Sequence, residues 1–124
     1  MSEKTWSFPM IITEKNIIDT VITAIEGGVD YWMDCDDEEN QWLGKHGGRS
    51  FSEKFAHGLI AGETATICDV EDADTKWEMT VETLIKGFEL YFNNPLRCRS
   101  FEDHDAEDAD TIFQLGLFNE VRYG

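Results

Sequence analysis

Residues 11–32 read IITEKNIIDTVITAIEGGVDYW, and their local signals predict a strand, a helix, a glycine pair and a second strand. Thr13 is a good N-cap, and Glu14 places negative charge in the first helical turn. An apolar stripe follows at helical spacing: Ile17, Ile18, Val21, Ile22 and Ile25. Gly27 and Gly28 predict the helix end, because glycine adopts a left-handed C-cap without strain. A helix with such an apolar stripe must pack that side against other elements, so we expect the core to form against it.

The rest of the chain extends this unit into an α+β pattern. Residues 5–12 predict an edge strand, residues 29–32 and 41–43 predict short strands, and residues 64–80 predict a hairpin. The fold class is therefore α+β, a single domain over residues 1–124 with a small antiparallel or mixed sheet of about three to five strands. Helices are predicted at about residues 14–26, 81–92 and 105–117, with a short one near 52–60.

Composition favours a compact domain in a reducing compartment. Of the 124 residues, 41% are apolar, which is enough for a core. Cys35, Cys68 and Cys98 are odd in number and far apart, which argues against a disulfide framework. No apolar run has transmembrane length and no secretory signal is evident, so we expect a cytoplasmic protein without membrane contact.

The charge is the most unusual property of the sequence. The chain carries 26 acidic and 10 basic residues, a net charge of −16. Such a field repels nucleic acid and anionic membranes, so we expect no direct nucleic-acid binding. It favours a basic partner or a cation, although solubility alone is the simpler explanation.

Three acidic clusters, at residues 34–39, 69–74 and 102–110, hold fifteen of the 26 acidic residues. They are either solvated loops and a helix start, or one negative surface that imitates a phosphate array. Duplex DNA carries about one charge per 1.7 Å, and the grooves that bind it are lined with Lys and Arg. The candidate partner-binding residues are these acids, with Trp42 as an aromatic anchor: Asp34, Asp36, Asp37, Glu38, Glu39, Trp42, Glu102, Asp103, Asp105, Glu107, Asp108 and Asp110.

Motifs for metal, cofactor or nucleophilic chemistry are not found. Calcium loops starting at Asp34 or Asp103 place an acid where the sharp turn needs glycine, and Lys45 or Gln114 where it needs glutamate. The cysteines and histidines lack zinc-ligand pairing, and no nucleophile elbow occurs. We therefore predict no metal site, no cofactor and no catalytic residue. A carboxylate-pair enzyme stays as an alternative that needs a concave pocket with convergent acids.

Three segments resemble small, mostly uncharacterised proteins of bacteriophages and prophages. Residues 24–32 (AIEGGVDYW) resemble their "ALEGGINYW" stretch, and residues 81–90 (VETLIKGFEL) are similar to their "LEKLLKGI" segment. Residues 109–124 (ADTIFQLGLFNEVRYG) resemble their "ADAIIQYALFGEIVYG" C-terminus. The resemblance implies an accessory protein of a phage or mobile element that acts in the bacterial cytoplasm. Some small phage proteins are acidic DNA mimics, as anti-CRISPR and anti-restriction proteins can be, and that step is analogy by size, charge and origin.

Two functional hypotheses follow for this chain. The first is a non-enzymatic inhibitor that binds a basic protein surface, such as the nucleic-acid-binding groove of a host or defence nucleoprotein. The second is a phage structural or assembly protein that self-associates through an apolar patch, as a homodimer for example, with its charge serving solubility. Residues 118–123, if strand-like and exposed, could pair between its subunits. Sizing separates them, because only the second requires a stable oligomer.

Overall fold

A computed structural model describes residues 5–7, 11–35, 38–46, 48–93 and 105–124. The helices are α1 (Glu14–Gly27), α2 (Phe51–Ile60), α3 (Val81–Phe92) and α4 (Ala106–Phe118). The strands are β1 (Thr5–Ser7), β2 (Ile11–Thr13), β3 (Met33–Cys35), β4 (Ala65–Asp69) and β5 (Asp72–Met79). The predicted α+β class is confirmed, with the predicted helices present within one or two residues of their expected bounds.

The described strands form two separate antiparallel sheets. β1 pairs with β2, so the predicted edge strand at residues 5–12 is instead two short strands. The main sheet has the order β3-β4-β5, with Asp34 opposite Cys68, and Cys68 opposite Lys76. The predicted hairpin at residues 64–80 is confirmed, and its second strand, β5, starts at Asp72.

Helix α1 begins as its sequence predicts and ends differently. The Thr13 hydroxyl accepts a hydrogen bond from the backbone N–H of Asn16, and the Asn16 side chain accepts one from the N–H of Thr13. The predicted left-handed C-cap is wrong, because Gly28 has φ −110°. Gly28 is needed for space: a Cβ there would lie 2.6 Å from the carbonyl oxygen of Ala106 in α4.

Two glycines let α3 and α4 cross with their backbones in contact. A Cβ on Gly87 would lie 2.2 Å from the carbonyl oxygen of Ile112, and one on Gly116 would lie 2.3 Å from that of Thr83. These contacts hold α4 against α3, while its other side meets α1. The buried core therefore includes side chains from all four helices.

The helices cover one face of the main sheet. Ile67, Trp77 and Met79 point inward, and the Trp77 ring lies 5.0 Å from that of Phe118 in α4. Trp32 is fully buried and stacks on Tyr123, with ring centroids 5.0 Å apart and planes 4° apart. Directly paired residues share a face, so the residues between these inward ones in sequence face away from the helices.

Two predicted strands are wrong. Residues 28–32 form a turn, and β3 starts only at Met33, because the N–H groups of Trp32 and Met33 bond back to the carbonyl of Val29. Residues Gln41–Lys45 form a 3-10 helix in place of the predicted strand at 41–43. Its Trp42 ring lies over α2, where a Cβ on Gly58 would come within 2.0 Å of the ring.

The C-terminal segment is not a strand. Phe118 ends α4, Asn119 takes the left-handed conformation at φ 61°, and residues 119–124 have no regular secondary structure. The fully buried side chain of Gln114 fixes this segment: its Oε1 accepts from the N–H groups of Arg122 (2.7 Å) and Tyr123 (2.8 Å). These two N–H groups are therefore already bonded within the chain, which disfavours the possible pairing of residues 118–123 between subunits.

None of the helices in the described ranges combines the length and the apolar character that crossing a membrane requires.

Candidate functional site: an acidic face of the sheet

The face of the main sheet that points away from the helices is acidic. Asp34 of β3, together with Asp74 and Glu78 of β5, is exposed on this face. Glu39 reaches it from the following loop and forms a salt bridge with Lys76. We call these four carboxylates, Asp34, Glu39, Asp74 and Glu78, the acidic sheet face.

Lys76 of β5 lies among the carboxylates of this face. Hydrogen bonding to Glu39 raises the pKa of Lys76, and the nearby charge of Asp74 acts in the same direction. The lysine offsets only one charge of the group. The acidic sheet face therefore keeps a net negative potential.

The β4–β5 turn continues this charge beyond the end of the sheet. We count this turn from Asp69, the last residue of β4, to Asp72, the first residue of β5. It also includes Glu71, and both Glu71 and Asp72 are exposed. Asp72 accepts a hydrogen bond from the Thr75 hydroxyl at 2.7 Å, which lowers the pKa of its carboxyl group. Since Met33 pairs with Asp69 and Asp34 with Cys68, strand pairing brings the first and second acidic clusters together.

Asn40 fixes the chain directly after the first cluster. Its side chain is fully buried; its Oδ1 accepts from the N–H of Thr66 and its Nδ2 donates to the carbonyl of Thr66, both at 2.8 Å. These bonds lie one residue beyond the last β3–β4 pair, Cys35 with Ile67. A side-chain amide thus replaces a strand backbone and holds Glu38 and Glu39 beside the sheet.

The third cluster divides between the surface and the interior. Asp105 is the N-cap of α4 and, like Glu107, is exposed. Asp108 and Asp110 are only 8% exposed, so the expectation that they belong to an exposed negative surface is wrong. Asp108 accepts from the Tyr91 hydroxyl at 2.7 Å and caps the start of α4 through the N–H of Asp105.

Asp110 is the centre of a buried polar group. Its Oδ1 accepts from the indole N–H of Trp32 (2.7 Å) and from Nε2 of Gln114 (2.9 Å), and its Oδ2 accepts from the Tyr31 hydroxyl (2.6 Å). Three neutral donors thus satisfy a carboxylate that has no salt bridge to a described residue. Its role is to join the turn at residues 28–32 to α4.

Two residues of this group, Tyr31 and Asp110, line a cleft. The cleft has a volume of 470 Å³ and lies between the end of α1, the start of α4 and the C-terminal segment. Tyr31, Glu107 and Tyr123 are among its walls. The Tyr123 hydroxyl donates to Asp69 at 2.9 Å, so the cleft adjoins the acidic β4–β5 turn.

Tyr31 keeps its proton over a wide pH range. Half of its side chain is exposed, but its hydroxyl end turns inward onto Asp110. Two effects raise the pKa of Tyr31 to about 12: the larger is the loss of solvent around the hydroxyl, and the second is its hydrogen bond to Asp110. The ring is therefore a neutral aromatic surface at physiological pH.

The predicted anchor Trp42 is only partly available. It is half-buried against α2, and its indole N–H donates to the carbonyl of Thr64 at 3.2 Å. The other candidate residues Asp36, Asp37, Glu102 and Asp103 lie outside the described residues, as does Cys98. Within the described part of the chain, no group of three or more His, Cys, Asp or Glu side chains is arranged to hold a metal ion.

Sequence reasoning missed Tyr31 and Tyr123, which line the cleft, and Gln114, which bonds to Asp110 and to the C-terminal segment. The signal that was available is the spacing of Asp110 and Gln114, which are one helical turn apart between apolar residues. Comparison with known protein families, with curated proteins and with solved structures gave no match for this chain.

Proposed function

We propose that this chain is a non-enzymatic binding protein that engages a basic surface of a host or defence nucleoprotein, as an acidic mimic of DNA. The observation that carries the proposal is the acidic sheet face, where strand pairing brings two acidic clusters together on the side of the sheet away from the helices. A phage origin and a place in the bacterial cytoplasm belong to the same proposal.

Rigidity supports this role. The carboxylates of β3 and β5 lie on paired strands, and Asn40 holds the loop that carries Glu39. Charges on an ordered surface bind a complementary surface with less loss of conformational freedom than charges on a free tail. Electrostatic pairing of this kind speeds association and weakens as salt rises.

The test is capture of nucleic-acid-binding proteins from a bacterial lysate, with and without excess duplex DNA. We expect wild-type protein to retain such a complex at about 0.05 M salt, and to release it on addition of DNA or at about 0.5 M salt. A triple variant that neutralises the acidic sheet face should retain none of it: Asp34→Asn, Asp74→Asn and Glu78→Gln.

A matched control removes the same charge from exposed positions on the helices: Asp19→Asn, Glu82→Gln and Glu89→Gln. If the control loses binding as completely as the sheet-face variant, net charge alone is responsible and the proposed face is wrong. If captured proteins are unaffected by DNA and salt, mimicry of DNA is wrong.

A further inference from the structure

The cleft beside α4 has the features of a site for a flat organic cation. We propose that it binds a guanidinium group, presented as an arginine side chain of the basic partner. Identifying that arginine as the partner's rests on the proposed function, whereas the affinity of the cleft for guanidinium does not. The contacts that carry the inference come from Tyr31, Glu107 and Asp110.

The charge of the cleft favours a cation. Glu107 is exposed at the cleft wall and Asp110 lies behind Tyr31, and neither forms a salt bridge with a described residue. The last turn of α1, which also borders the cleft, contains no basic side chain, and the carbonyl end of a helix carries partial negative charge. The start of α4 also lines the cleft and carries partial positive charge, which opposes the effect of α1, so the attraction for a cation comes from the two carboxylates.

The side chains that line the cleft favour a planar cation. Tyr31 is half exposed and offers a ring beside the Glu107 carboxylate. A guanidinium group is planar, stacks on aromatic rings and donates paired hydrogen bonds to a carboxylate. An ammonium group is a compact, strongly hydrated charge and gains less from the same surroundings. The combination of ring and carboxylate therefore favours arginine over lysine.

Glu107 and Asp110 contribute to the cleft in different ways. Both oxygens of Asp110 already accept hydrogen bonds from the surrounding protein, so this carboxylate contributes through its field. Glu107 is left to make the direct contact. The Tyr31 hydroxyl donates a hydrogen bond to Asp110 and its oxygen already accepts one from Nε2 of Gln114 at 3.4 Å, so Tyr31 contributes the face of its ring.

Location connects this site to the acidic surface. Tyr123 lines the cleft and donates to Asp69, which begins the acidic β4–β5 turn. A basic partner that covers this turn therefore lies next to the cleft. An arginine at the edge of such a partner could enter it without rearrangement of the fold.

The probe is N-acetyl-arginine-N-methylamide, titrated into isotopically labelled full-length protein and followed by amide chemical shifts. We expect saturable shifts at Tyr31, Glu107 and Thr111, with a Kd on the order of millimolar. The neutral isostere N-acetyl-citrulline-N-methylamide should give no saturable shift, because it has nearly the same shape without the charge. Equal binding of the two probes would overturn the proposal.

Matched variants locate the contact. Glu107→Gln should weaken arginine binding by about fivefold or more, whereas Glu82→Gln, an exposed acid in the first turn of α3, should change it by less than about twofold. Equal weakening by both would show a diffuse field and would overturn the site. Arginine binding is measured without any partner, so it can succeed or fail independently of the capture experiment.

Discussion

The indole N–H of Trp32 donates to the carboxylate of Asp110 at 2.7 Å, although 78 residues of sequence separate them. This bond ties the turn after α1 to the first half of α4. Asp110 also accepts hydrogen bonds from the Tyr31 hydroxyl and from Nε2 of Gln114, so one acidic side chain holds three other side chains in place beside the cleft.

Asp110→Asn should lower the free energy of unfolding by about 2–3 kcal/mol, because an amide cannot accept from all three buried donors. Urea denaturation followed by tryptophan fluorescence measures this loss. Glu107→Gln, three residues earlier and exposed, serves as the control and should change stability by less than about 0.5 kcal/mol. Similar losses in the two variants would contradict a special role for Asp110.

Gly116→Ala should destabilise the fold by about 1–3 kcal/mol, although alanine favours helix formation by about 1 kcal/mol over glycine. The reason is the 2.3 Å approach of the new Cβ to the carbonyl oxygen of Thr83, which forces α3 and α4 apart. Gly44→Ala is the matched control, because no atom lies within 4 Å of a Cβ there. Thermal unfolding of both variants decides the matter, and an unchanged Tm for Gly116→Ala would refute the close crossing.

Gln114→Leu should free the C-terminal segment while leaving the helices in place. The N–H groups of Arg122 and Tyr123 would lose their acceptor, and their hydrogen exchange should accelerate by about tenfold or more. Thr111→Val is the control, since the Thr111 hydroxyl bonds only to the carbonyl of Glu107 among the contacts described. Unchanged exchange at residues 122 and 123 would show that Gln114 does not hold them.

The raised pKa of Tyr31 predicts that the folded protein loses stability at high pH. This pKa is raised from 10.0 to about 12 in the folded protein, so the contribution of Tyr31 is fully present below pH 10 and declines as pH rises towards 12. Wild-type protein should therefore lose more stability over this interval than Tyr31→Phe, which has no proton to release. Denaturation curves at several pH values measure the difference, and parallel declines would contradict the prediction.

The helices could be predicted because their signals are local. The caps Thr13 and Thr80 and the apolar spacing of α1 and α3 lie within a few residues of one another. The glycines after α1 were interpreted as a left-handed stop, but Gly28 meets Ala106, a residue that no local pattern connects to it. Close approach of distant backbones has no signature in one sequence.

The site was less accessible to sequence reasoning. The acids of α4 were predicted to lie on an exposed surface, because acidic residues are usually solvated. Helix α4 is instead buried on most of its surface, and Asp108 and Asp110 lie inside. Conversely, Asp34 was predicted to lie in a loop, while it belongs to β3 and thereby joins the first acidic cluster to the second. Both errors arise because burial and strand pairing depend on partners far away along the chain.

The side chain of Asn40 has a consequence for the entropy of recognition. By bonding to both backbone groups of Thr66, it fixes the chain immediately after Glu38 and Glu39. Ordering such residues would otherwise cost about 1–2 kcal/mol each for the backbone when a partner arrives. In this protein much of that cost is met during folding, so we expect Asn40→Ala to weaken partner binding, measured as a higher Kd, even where every carboxylate is retained.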